Sequence, residues 1–182
     1  MNPLRDVRAA CFDWGGTLMS EDGPEDMPMA QWSTVRAIEG AAECLEALAG
    51  RLTLAVATNA SVSTRSMIEL ALGRVGFRSH FSHIFCFTDL GLRKSEPEFW
   101  EVVERDLGVP LGHVAMVGDS YLHDALCPRR FGVQAVWFNH RGKAERRDVT
   151  VPVVEQLSEF ADWILCSITG STTHTSRRPM EE

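Results

Sequence analysis

Nearly continuous apolar runs closed by turn residues alternate along this chain with segments whose apolar positions recur every three to four residues. Runs at 7–12, 52–57, 84–87, 114–117 and 134–138 read as five strands. They lack the in-out alternation of half-exposed strands, as expected for strands covered on both faces. Helical spacing fills the gaps at 37–48, where Ala41, Leu45 and Leu48 share a face, and at 63–72, where Met67, Leu70 and Ala71 do. Further helices are expected at 98–107, 123–131 and 153–165. Strands alternating with helices predict an α/β, Rossmann-like three-layer domain with a five-stranded, mainly parallel sheet.

Two segments break the pattern. Residues 19–31 hold Glu21, Asp22, Glu25 and Asp26 with two prolines, and read as a solvated surface loop. Residues 167–182 are rich in Ser, Thr and Arg, so the division expected is a domain over 1–166 and a disordered polar tail. At 182 residues the chain is sized for one core. A net charge of -7 argues against nucleic-acid binding and toward a small solute or a protein as partner. No apolar run approaches the roughly 20 residues that span a bilayer, and the first ten residues lack a signal-peptide core, so no membrane is involved and a cytoplasmic location is expected. The five scattered cysteines read as reduced thiols. His80, His83 and Cys86 lack a fourth ligand and read as structural.

In an open parallel sheet, ligands gather at the carboxyl ends of the strands. There the sequence places Asp13 in Asp13-Trp14-Gly15-Gly16-Thr17, then Thr58-Asn59, and Asp119 with Asp124 five residues beyond; Lys94 lies 36 residues past Thr58 and 25 before Asp119. These types suit phosphoryl transfer. Two strand-end carboxylates can share one hard, oxygen-seeking Mg²⁺. A carboxylate can attack phosphorus to give an acyl phosphate, while a hydroxyl, helix-opening N–H groups and an ammonium neutralise the transferring oxygens.

The four segments, in this order and spacing, resemble the haloacid dehalogenase (HAD) superfamily, with a match running over 7–138. The resemblance implies Asp13 as nucleophile, Thr58, Asn59 and Lys94 as phosphate holders, and Asp13, Asp119, Asp124 and the Gly15 carbonyl around the metal. Asp124 supports either the cation or Lys94.

Gly15 is the departure, because phosphatases of that superfamily usually carry a second Asp there to protonate the leaving oxygen. Ser120, Tyr121 and His123 are the nearest substitutes in sequence. Asp13-Trp14-Gly15-Gly16-Thr17 is also similar to the motif of phosphonoacetaldehyde hydrolases, but those use a further lysine, and Lys94 and Lys143 are the two lysines in the chain. Haloacid dehalogenases carry a bulky residue where Gly15 stands. The spacings between the segments leave room for a loop but no cap domain. An open site resembles members that act on large substrates or are covered by another subunit, so self-association is an expectation. The reading is a Mg²⁺-dependent phosphomonoesterase working through phospho-Asp13 on a phosphorylated small molecule or phosphoprotein. Its alternative is a catalytically weak or inactive domain that binds such a phosphorylated partner.

Overall fold

The computed structural model describes residues 2–143 and 150–169. Six strands, β1 (Ala9–Phe12), β2 (Thr53–Thr58), β3 (His83–Cys86), β4 (Val114–Gly118), β5 (Gln134–Phe138) and β6 (Val153–Val154), form one sheet in the order β3-β2-β1-β4-β5-β6. Every pairing is parallel. The α/β class and the Rossmann-like layering are therefore as expected.

Successive side chains on a strand point to opposite faces, and here they feed two cores. Ala10 and Phe12 of β1, Leu54 and Val56 of β2, and Ala115 and Val117 of β4 enter one core with Leu45, Ile68, Leu72 and Phe160. Those partners come from α1 (Ala41–Leu48), α2 (Arg65–Arg74) and, after three shorter or later helices, α6 (Leu157–Thr169). Ala9, Cys11, Ala55, Ala57 and Met116 enter the other core with Phe99, Trp100 and Val103. These three belong to α4 (Pro97–Leu107), which follows the short α3 (Phe87–Leu90) and opens on a proline, where the missing N–H costs no helical bond. Between β4 and β5 lie a π-helical turn (Tyr121–Leu126) and the short α5 (Cys127–Arg130).

Three expectations need correction. The sheet has six strands, because the segment read as the start of the last helix extends it: Val153 and Val154 pair with Trp137 and Phe138. Two β-branched residues favour that extended edge. The helix begins only at Leu157, where Glu159 accepts the backbone N–H groups of Glu155 and Gln156 at 2.8 and 3.0 Å. It then runs through Thr169, into the stretch read as tail; the rest of that tail, 170–182, lies outside the described residues. The helix expected from residue 37 starts at Ala41, since Ala37 is held in an antiparallel bridge with Met19 and Ile38 donates to the Leu18 carbonyl at 2.9 Å.

Those same contacts correct the reading of 19–31 as wholly solvated. Met19 is fully buried, Met29 is nearly so, and Ser20 donates to the Arg36 carbonyl at 2.8 Å. Arg74 of α2 reaches the carbonyls of Trp32 and Ser33 at 2.6 and 3.0 Å. The segment is thus pinned at both ends and laid across one end of the sheet. No helix of the described residues is long and apolar enough to cross a membrane.

Candidate active site

Parallel strands put all their carboxyl ends on one edge, and that edge gathers residues far apart in sequence. Asp13 leaves β1 with its N–H on the Val117 carbonyl of β4, 2.9 Å away. Lys94 approaches from the other side of β2. Its backbone N–H donates to Asn59 Oδ1 at 2.9 Å, and its carbonyl accepts the Trp100 indole N–H at 2.9 Å. So held, the buried Nζ donates to Asp13 Oδ1 at 2.7 Å, Asp124 Oδ1 at 2.6 Å and the Ala57 carbonyl at 3.0 Å. An ammonium has three protons, and each has an acceptor.

Asp124 sits on the π-helical turn, its second oxygen accepting the Ser120 N–H at 2.9 Å. The turn is wide enough to bring that carboxylate back over the end of β4. Asp119 is oriented differently: its N–H donates to Thr17 Oγ1 at 3.0 Å, and its Oδ2 accepts from Lys143 Nζ at 2.9 Å. Gly16 makes room for it. Its φ of +69° lies in the left-handed region, and a Cβ there would stand 2.8 Å from Asp119 Cγ. Thr58 is buried with its hydroxyl accepting the Ala60 N–H at 3.1 Å, so it turns the chain out of β2 while lining the cavity.

The cavity so formed holds about 240 Å³ and is lined by Asp13, Gly15, Thr58, Asn59, Lys94, Asp119 and Asp124. All seven residues singled out in the sequence therefore face one space. One carboxylate oxygen from each of Asp13, Asp119 and Asp124 can be chosen so that all lie within 4.8 Å of one another. Such a hard-oxygen cluster fits a divalent cation of the Mg²⁺ kind. Among the described residues it is the one such group, and His80, His83 and Cys86 form none. His83 stacks on Phe85 instead, and Cys86 is buried in the core.

The electrostatics follow from burial. Burial pushes the Asp13 carboxyl up, to about 8, against the opposing pull of Lys94, and the like charges of Asp124 and Asp119 add to the rise. Burial works to strip the charge from Lys94, but Asp124 and Asp13 outweigh it and hold the ammonium above its ordinary value. The carboxyl groups of Asp13, Glu21, Asp119 and Asp124 line this space with the ammonium of Lys94, so acidic groups outnumber basic ones in its lining.

Sequence reasoning missed three participants. Lys143, noted in the sequence as the second of two lysines, reaches Asp119. Thr17 belongs to the motif, yet its hold on Asp119 across 102 positions has no local signal. Glu21, read as part of the solvated loop, lines the cavity. Partial burial and then the negative charge of Asp119 push its carboxyl above the usual range. Of the substitutes considered for the absent acid, Tyr121 packs edge-on against Trp137 at 5.3 Å as part of a small core, whereas Ser120 and His123 do line the cavity.

Comparison with known proteins places the chain in a family. The family described as haloacid dehalogenase-like hydrolase matches residues 29–132. (S)-2-haloacid dehalogenase 2 from Pseudomonas sp. (strain CBS-3) is 27% identical over 133 residues, which are 73% of this chain and 52% of that protein. The chain spans about half the length of the curated relatives it matches. A HAD phosphatase from Thermococcus onnurineus superposes with a TM-score of 0.69 at 18% identity, over 87% of this chain and 98% of that one. The HAD-hydrolase YfnB from Bacillus subtilis, solved bound to magnesium, superposes with a TM-score of 0.71 at 16% identity over 87% and 98%. At these identities the two structures establish the shared fold.

Proposed function

The chain belongs to the haloacid dehalogenase-like hydrolases, and from that premise we propose that it is a Mg²⁺-dependent phosphomonoesterase acting through a phospho-Asp13 intermediate. The observation that carries this reading is the convergence of Asp13, Asp119 and Asp124 on one cavity with Lys94 and Thr58. Displacement of halide from carbon by a carboxylate passes a single negative charge to the departing halide, which does not require a divalent-cation site. A phosphoryl group in flight spreads negative charge over three oxygens and does need it. Asp13, Asp119 and Asp124 would hold Mg²⁺, which when bound supplies positive charge to the phosphoryl oxygens.

Asp13 is placed for attack: one carboxylate oxygen is held by Lys94, fixing the group, while the residue borders the open cavity. Lys94 also keeps positive charge beside the transferring phosphoryl group, and Thr58 with the N–H groups after β2 offers hydrogen bonds to it. The deciding experiment is a phosphomonoester panel with Mg²⁺, run beside halide release from 2-chloropropionate, on the wild type and Asp13→Asn. Phosphate release that disappears in Asp13→Asn supports the reading. Halide release without phosphate release would replace it with dehalogenation. Binding of phosphate esters without turnover would favour the non-catalytic alternative, whose support is the missing side chain at Gly15.

A further inference from the structure

When a carboxylate displaces an ester oxygen from phosphorus, that oxygen leaves as an alkoxide unless a proton reaches it. A second cavity indicates where the oxygen must lie. A cleft of about 330 Å³, walled by Trp14, Met27, Met29, Trp32 and Val62, opens beside the carboxylate-lined cavity. Trp14, Glu21, Asn59 and Ala60 line both spaces. A substrate with its phosphoryl group in one and its leaving group in the other has its ester oxygen at that junction. Of the four shared side chains, only that of Glu21 carries an acidic proton that it can give and take back.

Two further observations single out Glu21. Asp13 and Asp124 are ion-paired with Lys94, and Asp119 with Lys143, while Glu21 has no ion-pair partner among the described residues. The Glu21 carboxyl also occupies the space in front of Gly15: the atoms nearest to a Cβ built there are those of Glu21, with Cδ at 2.9 Å. The backbone of Gly15 is outside the left-handed region, so it is the Glu21 carboxyl that fills the room a side chain would take.

We propose that Glu21 is the proton donor and acceptor of the reaction, and that the neighbouring cleft seats a flat, apolar leaving group that is uncharged or cationic. The proposal rests on the phosphomonoesterase reading. In the first half-reaction an Asp13 oxygen bonds to phosphorus, the bond from phosphorus to the ester oxygen breaks, and that oxygen takes the Glu21 proton and departs as the alcohol. In the second, Glu21 takes a proton from water as the water oxygen bonds to phosphorus. The bond from phosphorus to Asp13 then breaks, releasing phosphate and regenerating both carboxyl groups. Glu25, which also lines the cleft, adds to the repulsion of anionic leaving groups.

The test compares turnover of alkyl phosphates with that of aryl phosphates bearing good leaving groups, all with Mg²⁺. The enzymes are wild type, Glu21→Gln, Glu21→Ala, the double variant Gly15→Asp with Glu21→Ala, and Trp32→Ala. Glu21→Gln should slow alkyl esters about 10²-fold or more and aryl esters much less, because a good leaving group needs little protonation. Gly15→Asp in the Glu21→Ala background should restore at least tenfold on alkyl esters relative to Glu21→Ala alone, since its carboxyl enters the space Glu21 held. Trp32→Ala should raise KM for aryl esters while changing kcat little. Equal slowing of both ester classes by Glu21→Gln, or no slowing of either, overturns the role of Glu21 while leaving the phosphatase reading intact. Unchanged KM in Trp32→Ala overturns the leaving-group seat. A wild type that hydrolyses neither class overturns both this proposal and the reading beneath it.

Discussion

Lys94 and Asp124, 30 positions apart and both buried, are joined by an ion pair of 2.6 Å. The pair ties the loop before α4 to the π-helical turn after β4, and through the second bond of Lys94 it fixes Asp13 as well. Removing one member leaves the other charged in a place with little water. Asp124→Ala should therefore destabilise the fold by about 3 kcal/mol, read from urea unfolding, and should lower turnover further by loosening Lys94. A loss within error of zero would mean that Asp13 and the Ala57 carbonyl suffice to hold the ammonium.

Lys143 holds one oxygen of the Asp119 carboxylate, and its positive charge would oppose a metal ion bound by the same group. Lys143→Ala should accordingly lower the Mg²⁺ concentration for half-maximal activity, by about two- to fivefold for a half-exposed pair. Asp119→Ala should move the same titration the other way, by at least about tenfold if one hydrogen-bonded charge contact of ordinary strength is lost. Titrations of the two variants that shift in the same direction would contradict this assignment.

Thr17 offers the Asp119 N–H its acceptor at the strand end. Thr17→Val keeps the shape and removes the oxygen, so the expected cost is about 1–3 kcal/mol of stability together with a weaker Mg²⁺ response. Thr17→Ser should keep both near wild type. A Val variant with an unaltered Mg²⁺ titration would show that Asp119 holds its place without Thr17.

Four of the five cysteines are buried, and Cys166 is exposed. Burial pushes the thiols of Cys11 and Cys44 up to about 12, so at pH 8 their reactive thiolate is scarcer than in an ordinary cysteine, and raising the pH toward 9 brings little more. Iodoacetamide on the native protein should thus modify Cys166 first, and the other four only after unfolding, as peptide mass mapping would show. Early modification of Cys11 would indicate that the sheet opens readily.

How much of this was legible in the sequence follows from what each feature depends on. Five strands announce themselves as apolar runs because they are covered on both faces. The sixth escaped because Val153 and Val154 pair over just two residues, beside a helical pattern that overlaps them. Asp13, Thr58 and Asp119 were readable because strand ends fix their positions, and a spacing along the chain becomes a position on one edge, while Lys94, in the loop before α4, was readable from its spacing to them. Glu21 and Lys143 were not, since each is placed by the path of a connecting segment. In the sequence Glu21 looks no different from Asp22, Glu25 or Asp26. What separates them is the anchoring of that segment by Met19, Met29 and Arg36, which turns one acid of the four toward Gly15.

β1 and β4 lie side by side in the sheet although roughly the whole middle of the chain intervenes between them. Asp13 and Asp119 are consequently a pair that no shorter piece of the polypeptide can assemble. A cation gripped by both would act as a clasp across that long detour. Because it has no such grip on the unfolded chain, every tenfold rise in free Mg²⁺ above its dissociation constant would add about 1.4 kcal/mol to the stability of the finished fold. The melting temperature of this protein would then serve as a gauge of the Mg²⁺ around it, and chelation would slacken the protein as a whole.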